Sequence, residues 1–249
     1  MQEAYAGLAE VYDAWMQDVD YDAWADDIAL RLRAAERSVQ AVLECACGTG
    51  ALTTRLRRKG YDVMGMDCAV DMLQIAQKKA REQGLRIPFV QQDMREIALH
   101  RRVDAIVCAC DGVNYLHTAE DVCAFFTAAH KALHPGGLLL FDISSRYKLQ
   151  HTLADNTFAE TLEDCAYLWQ NSYDEQTALC EMAFTGFVRR GALYERFDEL
   201  HIQRGHSIAE LTAWLCDCGF ADIAAYEAFT MIPPAATAER IQFCAKAIV

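Results

Sequence analysis

The chain has 249 residues, of which 53% are hydrophobic and 24% charged, with 36 acidic against 23 basic side chains and a formal net charge of −13. Such a length suits one large α/β domain with an insertion, and the acidic balance argues against a broad electropositive face for DNA or RNA. No run of about 18 apolar residues occurs, and the Met-Gln-Glu-Ala-Tyr start is neither basic nor apolar, so neither a membrane span nor a signal peptide is expected and the protein reads as cytoplasmic.

Residues 3 to 37 predict a helical cap, with one apolar stripe at Leu8, Val11, Tyr12 and Trp15 and another at Trp24, Ile28 and Leu32, interrupted by acidic residues 18–22. Its aromatics, Tyr5, Tyr12, Tyr21 and Trp24, suit ordinary core packing and equally suit contact between two copies, so a homodimer is compatible with the sequence. Val39 to Leu43 follows as a buried strand, then Glu44-Cys-Ala-Cys-Gly-Thr-Gly50, then a helix from Ala51 that Gly60 stops. Tyr61 to Met66 is a second strand ending at Asp67, about 20 residues beyond the loop, where a nucleotide-binding βαβ unit sets an acid against ribose hydroxyls. A helix over Ala69–Gln83 leads to a third strand from Ile87, followed by Asp93 and Met94. Val103–Cys110 is a fourth strand, opening into Asp111-Gly-Val-Asn114-Tyr115 at the end of the sheet where open α/β folds bind ligands. Ala119–Leu133 is the next helix, His134-Pro-Gly-Gly a breaker, and Leu138–Ile143 a fifth strand.

From residue 144 to 206 the pattern changes to long alternating runs, Ala166–Tyr173, Ala178–Arg190 and Leu193–Arg204, which predict an antiparallel sheet covering the site. Its inward polar candidates are Trp169, Tyr173, Glu195, Glu199, His201 and Arg204. His201 is the side chain best suited to accept a proton near neutral pH, although a lone strand histidine is more often structural. Ser207 and Glu210 form a capping box for the last helix, and Ile223–Thr230 and Ile241–Val249 close the sheet through Pro233-Pro234. One domain over 1–249 results: cap 1–37, core 38–143 with 207–249, and insertion 144–206.

Two features of the first loop choose its nucleotide. Thr53 stands where a dinucleotide fingerprint needs its third glycine, and Glu44 would repel a pyrophosphate but attract an ammonium and a sulfonium. Here the sequence resembles the class I S-adenosylmethionine (SAM) methyltransferases, whose acid-x-Gly-x-Gly-x-Gly motif is matched by Glu44, Gly48 and Gly50, with Ala46 replacing the first glycine. The resemblance implies a Rossmann-like seven-stranded α/β fold with SAM as cofactor. It also implies Asp67 at the ribose, Cys68 among the cofactor-binding residues, Met72 near the adenine, Asp93 and Met94 reading the adenine edge, and Cys110 and Asp111 at the cofactor mouth. The segment around Tyr12 is similar to the start of a bacterial group of functionally undefined SAM methyltransferases, in which a tyrosine there closes over the methionine moiety. Asn114, Tyr115, Trp169, His201 and Arg204 are then acceptor-side residues. The inserted sheet resembles that of sugar and glycine N-methyltransferases, implying a small-molecule acceptor, with an amine as the leading candidate.

Eleven cysteines, including the pairs Cys45/Cys47, Cys108/Cys110 and Cys216/Cys218, read as reduced thiols filling tight strands, with no metal site. Two other readings remain open on the residues alone: an NAD-type oxidoreductase using the same Asp67, and a non-catalytic SAM-binding protein.

Overall fold

The computed structural model describes residues 8–248; Tyr5 and the start of the expected cap lie outside the described residues. The acidic segment 18–22 separates two helices, as expected, and also starts the second. Asp20 caps α2 (Tyr21–Arg33) by accepting from Ala23 N at 2.9 Å, while the preceding α1 (Tyr12–Trp15) is a single turn following a 3₁₀ turn at Leu8–Glu10.

The core then alternates as expected: β1 (Ala41–Cys45), α3 (Ala51–Arg58), β2 (Asp62–Asp67), α4 (Val70–Glu82), β3 (Phe89–Gln91), β4 (Val103–Cys108), α5 (Ala119–Ala132) and β5 (Leu133–Ser144). After an insertion come α6 (Ile208–Asp217), β10 (Phe220–Glu227) and β11 (Arg240–Ala247). These seven strands form one sheet in the order β10-β11-β5-β4-β1-β2-β3, parallel except for β11. Strand β1 is buried on both faces, so its alternate residues serve two cores. Leu43 meets Phe125 and Phe126 under α5, and Val42 meets Leu52, Leu56, Ile28 and Leu32 of α3 and α2. The strand order reverses between β1 and β4, which leaves a crevice at their carboxyl ends.

Two boundaries differ from the sequence reading for identifiable reasons. His134-Pro-Gly-Gly does not separate helix from strand: β5 begins at Leu133, which pairs with Val103, and the Pro-Gly-Gly segment is absorbed as a register shift before Leu138 pairs with Ala105. The inserted sheet has four antiparallel strands in sequence order, β6 (Thr157–Thr161), β7 (Cys165–Asp174), β8 (Leu179–Arg190) and β9 (Leu193–Arg204). Strand β6 is too short and mixed to carry an alternation signal. Gly186 admits the Phe197 ring between β8 and β9, since a Cβ there would sit 2.2 Å from it. The sheet's inner face takes Leu8, Val11 and Trp15 of the cap and Leu149 and Leu153 from the segment after β5. Among the described residues no helix is long and apolar enough to cross a membrane.

Candidate active site

The loop after β1 is held to the end of β2 through its amides. Ala46, Gly48 and Gly50 all take positive φ (51°, 52° and 70°), Cys47 N donates to Met66 O at 3.0 Å, and Gly48 N donates to Asp67 Oδ2 at 2.8 Å. Gly50 starts α3 with its Cα pressed toward Ala76 and Phe89, so a side chain there would be both strained and crowded. Ala46 keeps the left-handed conformation that a glycine adopts freely, which is why the motif survives the replacement at a small cost in strain. Asp67 also accepts from Ala69 N at 2.9 Å, so one carboxylate ties the loop to the start of α4.

This loop floors a cavity of about 350 Å³ lined by Tyr12, Glu44, Ala46, Gly48, Asp67, Cys68, Met72, Met94, Cys110 and Tyr115. Its chemistry is acceptor-rich: two carboxylates face it and no lysine or arginine lines it. Glu44 is buried, and its Oε2 has no hydrogen-bond partner. Burial pushes its carboxyl up to about 8; the Thr53 hydroxyl, close but outside hydrogen-bond geometry, pulls the other way, and Asp67 pushes it further up. Burial likewise raises Asp67, against the pull of the Ala69, Gly48 and Cys68 amides. An orphaned buried acid beside a second carboxylate fits a ligand that brings an ammonium, a sulfonium and a vicinal diol, and it opposes a pyrophosphate. SAM meets that description and a dinucleotide does not.

Some expected residues stand elsewhere. Gly50 lies behind the loop. Asp93 does not line the cavity: Arg95 Nη2 holds its Oδ2 at 2.6 Å and the Arg95 amide holds its Oδ1 at 2.8 Å, and Arg95 keeps its carboxyl below the usual range. Met94, beside it, does reach the cavity. Asp111 turns from the cradle into the neighbouring cavity.

That second cavity, about 790 Å³, shares Tyr12, Cys110 and Tyr115 with the first. Its walls are aromatic. Trp15 lies 4.5 Å from Tyr167 between ring centroids, and Phe184 stacks on Trp169 at 5.1 Å. At the junction, Tyr115 Oη lies 3.2 Å from His201 Nδ1, His201 Nε2 lies 3.0 Å from Glu199 Oε2, and Leu8 N donates to Glu199 Oε1 at 2.8 Å. The Glu199 and His201 side chains are each 1% exposed. With Glu199 ionised and accepting from Nε2–H, Nδ1 is the acceptor for the Tyr115 hydroxyl, so the three groups form a directed chain. Deeper in, Arg240 bridges two acids. It pairs with Asp111 at 2.8 Å and with Asp142, whose carboxyl burial lifts to about 6.

Three other acceptor-side expectations lie apart. Asn114 is fully buried and its amide is spent on backbone, donating to Ser144 O and Arg204 O and accepting from Ser144 N, each at 2.9 Å. It fixes the mouth turn to β5 and β9. Arg204 turns out to Glu210 at 2.9 Å and stacks over Trp214, and Glu195 faces solvent beside Arg190. Glu199, His201 and Gln203 share the inner face of β9 by the period-two rule, which is the signal that gathers them. The contributions of Leu8, Lys148 and Arg240 carry no such signal.

The methyltransferase-domain family matches residues 42–137. The Bacillus subtilis (strain 168) protein named "Putative methyltransferase YqeM" is 40% identical over 97% of this chain and 96% of its own. The crystal structure of a SAM-dependent methyltransferase from Clostridium acetobutylicum ATCC 824 superposes with a TM-score of 0.89 at 31% identity, covering 98% of this chain and 99% of that one. A third relative, the dTDP-3-amino-3,4,6-trideoxy-alpha-D-glucopyranose N,N-dimethyltransferase of Streptomyces venezuelae, is 32% identical over 54% of this chain and 56% of its own. A glycine loop that presents two carboxylates, an aromatic cavity opening onto it, and full-length likeness to a SAM-dependent enzyme converge: the chain belongs to the class I S-adenosylmethionine-dependent methyltransferases.

Proposed function

We propose that the enzyme methylates the nitrogen of a small-molecule amine, and that Tyr115, His201 and Glu199 carry away the proton. The observation that supports it is the hydrogen-bonded chain at the junction of the two cavities. SAM supplies a sulfonium-bound methyl group open to in-line attack. Glu44 and Asp67 would hold its ammonium and ribose hydroxyls, and Tyr12, half-buried at the boundary of both cavities, would cover it.

An amine is protonated at neutral pH and cannot attack until it loses a proton. An N–H placed at Tyr115 Oη donates there, Tyr115 donates to His201 Nδ1, and the imidazolium that forms is balanced by Glu199 at 3.0 Å. The aromatic walls favour the cationic form during entry, by about 0.5–2 kcal/mol per well-placed ring. Alignment of the two reactants contributes about 7–11 kcal/mol in favourable cases. The amino-sugar dimethyltransferase among the relatives is named for a nitrogen acceptor, which supports the same class here.

The test is a methyl-labelled SAM assay against primary and secondary amines and matched alcohols. Label on nitrogen that depends on His201 is the expected result; label on oxygen or carbon would refute the amine reading.

A further inference from the structure

One charged group of the acceptor cavity has no part in proton removal. Lys148 lines the cavity at the start of a π-helical turn, Lys148–Leu153, that follows β5. π-Turns are rare and recur at functional sites. The side chain is half-buried, and burial together with Arg240 pulls its ammonium below the usual lysine range.

The acids around Lys148, namely Asp111, Asp142 and Glu239, attract its charge but hydrogen-bond to other groups, and the buried Asp142 Oδ1 has no hydrogen-bond partner. Asp111 gives Oδ1 to Arg240 at 2.8 Å and Oδ2 to Gln203 at 2.6 Å. Asp142 takes Arg240 and the Asp111 amide on one oxygen, and Glu239 accepts from Thr152 at 2.7 Å. Among the described residues no carboxylate forms an ion pair with Lys148, whereas Arg240 beside it has two. A partly desolvated ammonium without a hydrogen-bonded anion is costly, and a structural lysine is normally paired or extended into water. The side open to it is the cavity itself.

We infer that Lys148 is an anion subsite: resting on the amine reading above, the acceptor is an amine that also carries a carboxylate or a phosphate, bound at Lys148 while its nitrogen reaches Tyr115. The body between the two groups lies along the wall of Trp169, Phe184 and Tyr167. A cavity of about 790 Å³ accommodates such a molecule. Neutral amines lack the anchor, and Arg240 does not replace it because its charge is spent on Asp111 and Asp142.

The experiment uses the full-length protein, methyl-labelled SAM and a total small-molecule extract, with the labelled product identified by tandem mass spectrometry. The expected product holds an N-methyl group together with a carboxyl group, seen as loss of formic acid, or a phosphate, seen as a phosphate fragment ion; these two signatures separate the sources of the anion. With that product's precursor, Lys148→Met raises KM by about 10- to 150-fold, the worth of one charge-assisted hydrogen bond, holds kcat within about threefold, and Lys148→Arg recovers most of the loss. S-adenosylhomocysteine binding, unchanged in both variants, shows that they fold. A labelled amine with neither acid group, or an unchanged KM in Lys148→Met, overturns the anion subsite and leaves N-methylation standing. Absence of any N-labelled product removes the amine reading, and the subsite with it.

Discussion

The cofactor cradle and the acceptor cavity share Tyr12, Cys110 and Tyr115, yet they are assembled in opposite ways. The cradle's floor comes from residues close in the chain, Glu44 to Met72, and is held by amides: Gly48 and Ala69 on Asp67, and Cys47 on Met66. The acceptor cavity gathers side chains from residue 8 to residue 240 and is held largely by side-chain pairs, such as Gln203 Nε2 donating to Asp111 Oδ2 across 92 positions. A backbone-built site is restricted to one ligand, because its geometry follows from the strand, turn and helix themselves. A side-chain-built site can change its acceptor by substitution without disturbing the sheet.

The sharpest break between the two regions is a residue that serves one without touching the other. His201→Gln is close to histidine in size but cannot relay the Tyr115 proton, so kcat for an amine acceptor falls by roughly 10²- to 10⁴-fold. Affinity for S-adenosylhomocysteine, followed by calorimetry, stays at the wild-type value. Unchanged turnover in this variant would remove His201 from the chemistry and return it to packing. Asp67→Ala is the mirror experiment. It deletes a carboxylate that faces the cradle and holds two loop amides, and with charge-assisted hydrogen bonds worth about 1.5–3 kcal/mol each, cofactor affinity drops by about 100-fold or more. Acceptor KM at saturating SAM moves little, and a comparable rise in it would show that the two regions are not separable.

The same contrast explains what the sequence disclosed. Glu44, Gly48 and Asp67 were legible because each answers a local demand: an acid at a strand end, a positive φ, a carboxylate within reach of the loop amides. Even Ala46, the departure from the motif, adopts the φ of 51° that the turn requires. Glu199 and His201 were half legible, since alternation on β9 puts them on one face but says nothing of what that face meets. Asp93 was read by the pattern of strand followed by acid, and Arg95 two residues on binds its carboxylate instead. Asn114 and Arg204 look like site residues in sequence because polar side chains at a sheet's carboxyl end usually are. Here the first is consumed by backbone groups of β5 and β9, and the second by Glu210. Lys148 and the Leu8 amide were out of reach altogether, one on a π-turn with no periodic signature and the other a backbone group.

A smaller effect separates charge from geometry within the cradle. With the Glu44 carboxyl at about 8, the ligand-free protein holds that proton at neutral pH, whereas the unfolded chain has lost it above the ordinary glutamate value of 4.5. Ligand-free stability therefore falls as pH rises from about 4.5 to 8, because the native state binds the extra proton over that window. An arriving ammonium favours the carboxylate, so binding expels the proton, and SAM affinity tightens with pH up to about 8, at most tenfold per unit. Glu44→Gln flattens both curves and binds SAM about tenfold more weakly at pH 8, the loss of one pH unit's worth of interaction. Calorimetric titrations at pH 6, 7 and 8 decide it: a slope that persists in Glu44→Gln assigns the titration to another group.

The smallest effect probes a contact between the cap and the proposed proton-accepting pair. Leu8 donates its amide to Glu199, which in turn orients His201, while its side chain sits 4% exposed against Val11, Cys165 and Val188. Leu8→Pro removes the amide hydrogen at the first position of a 3₁₀ turn, where proline's φ is tolerated. Leu8→Ala keeps the hydrogen bond and removes the packing. If the amide positions the dyad, Leu8→Pro lowers kcat by roughly three- to tenfold, within the worth of one hydrogen bond to a charged group, and Leu8→Ala leaves kcat near wild type while lowering stability by about 2–5 kcal/mol. Were both variants to lose stability and neither to lose turnover, the cap would be a cover over a dyad that is complete without it. A fall in kcat confined to Leu8→Pro means instead that closing the cap finishes the proton-accepting group, so that proton removal becomes efficient only once water has been shut out.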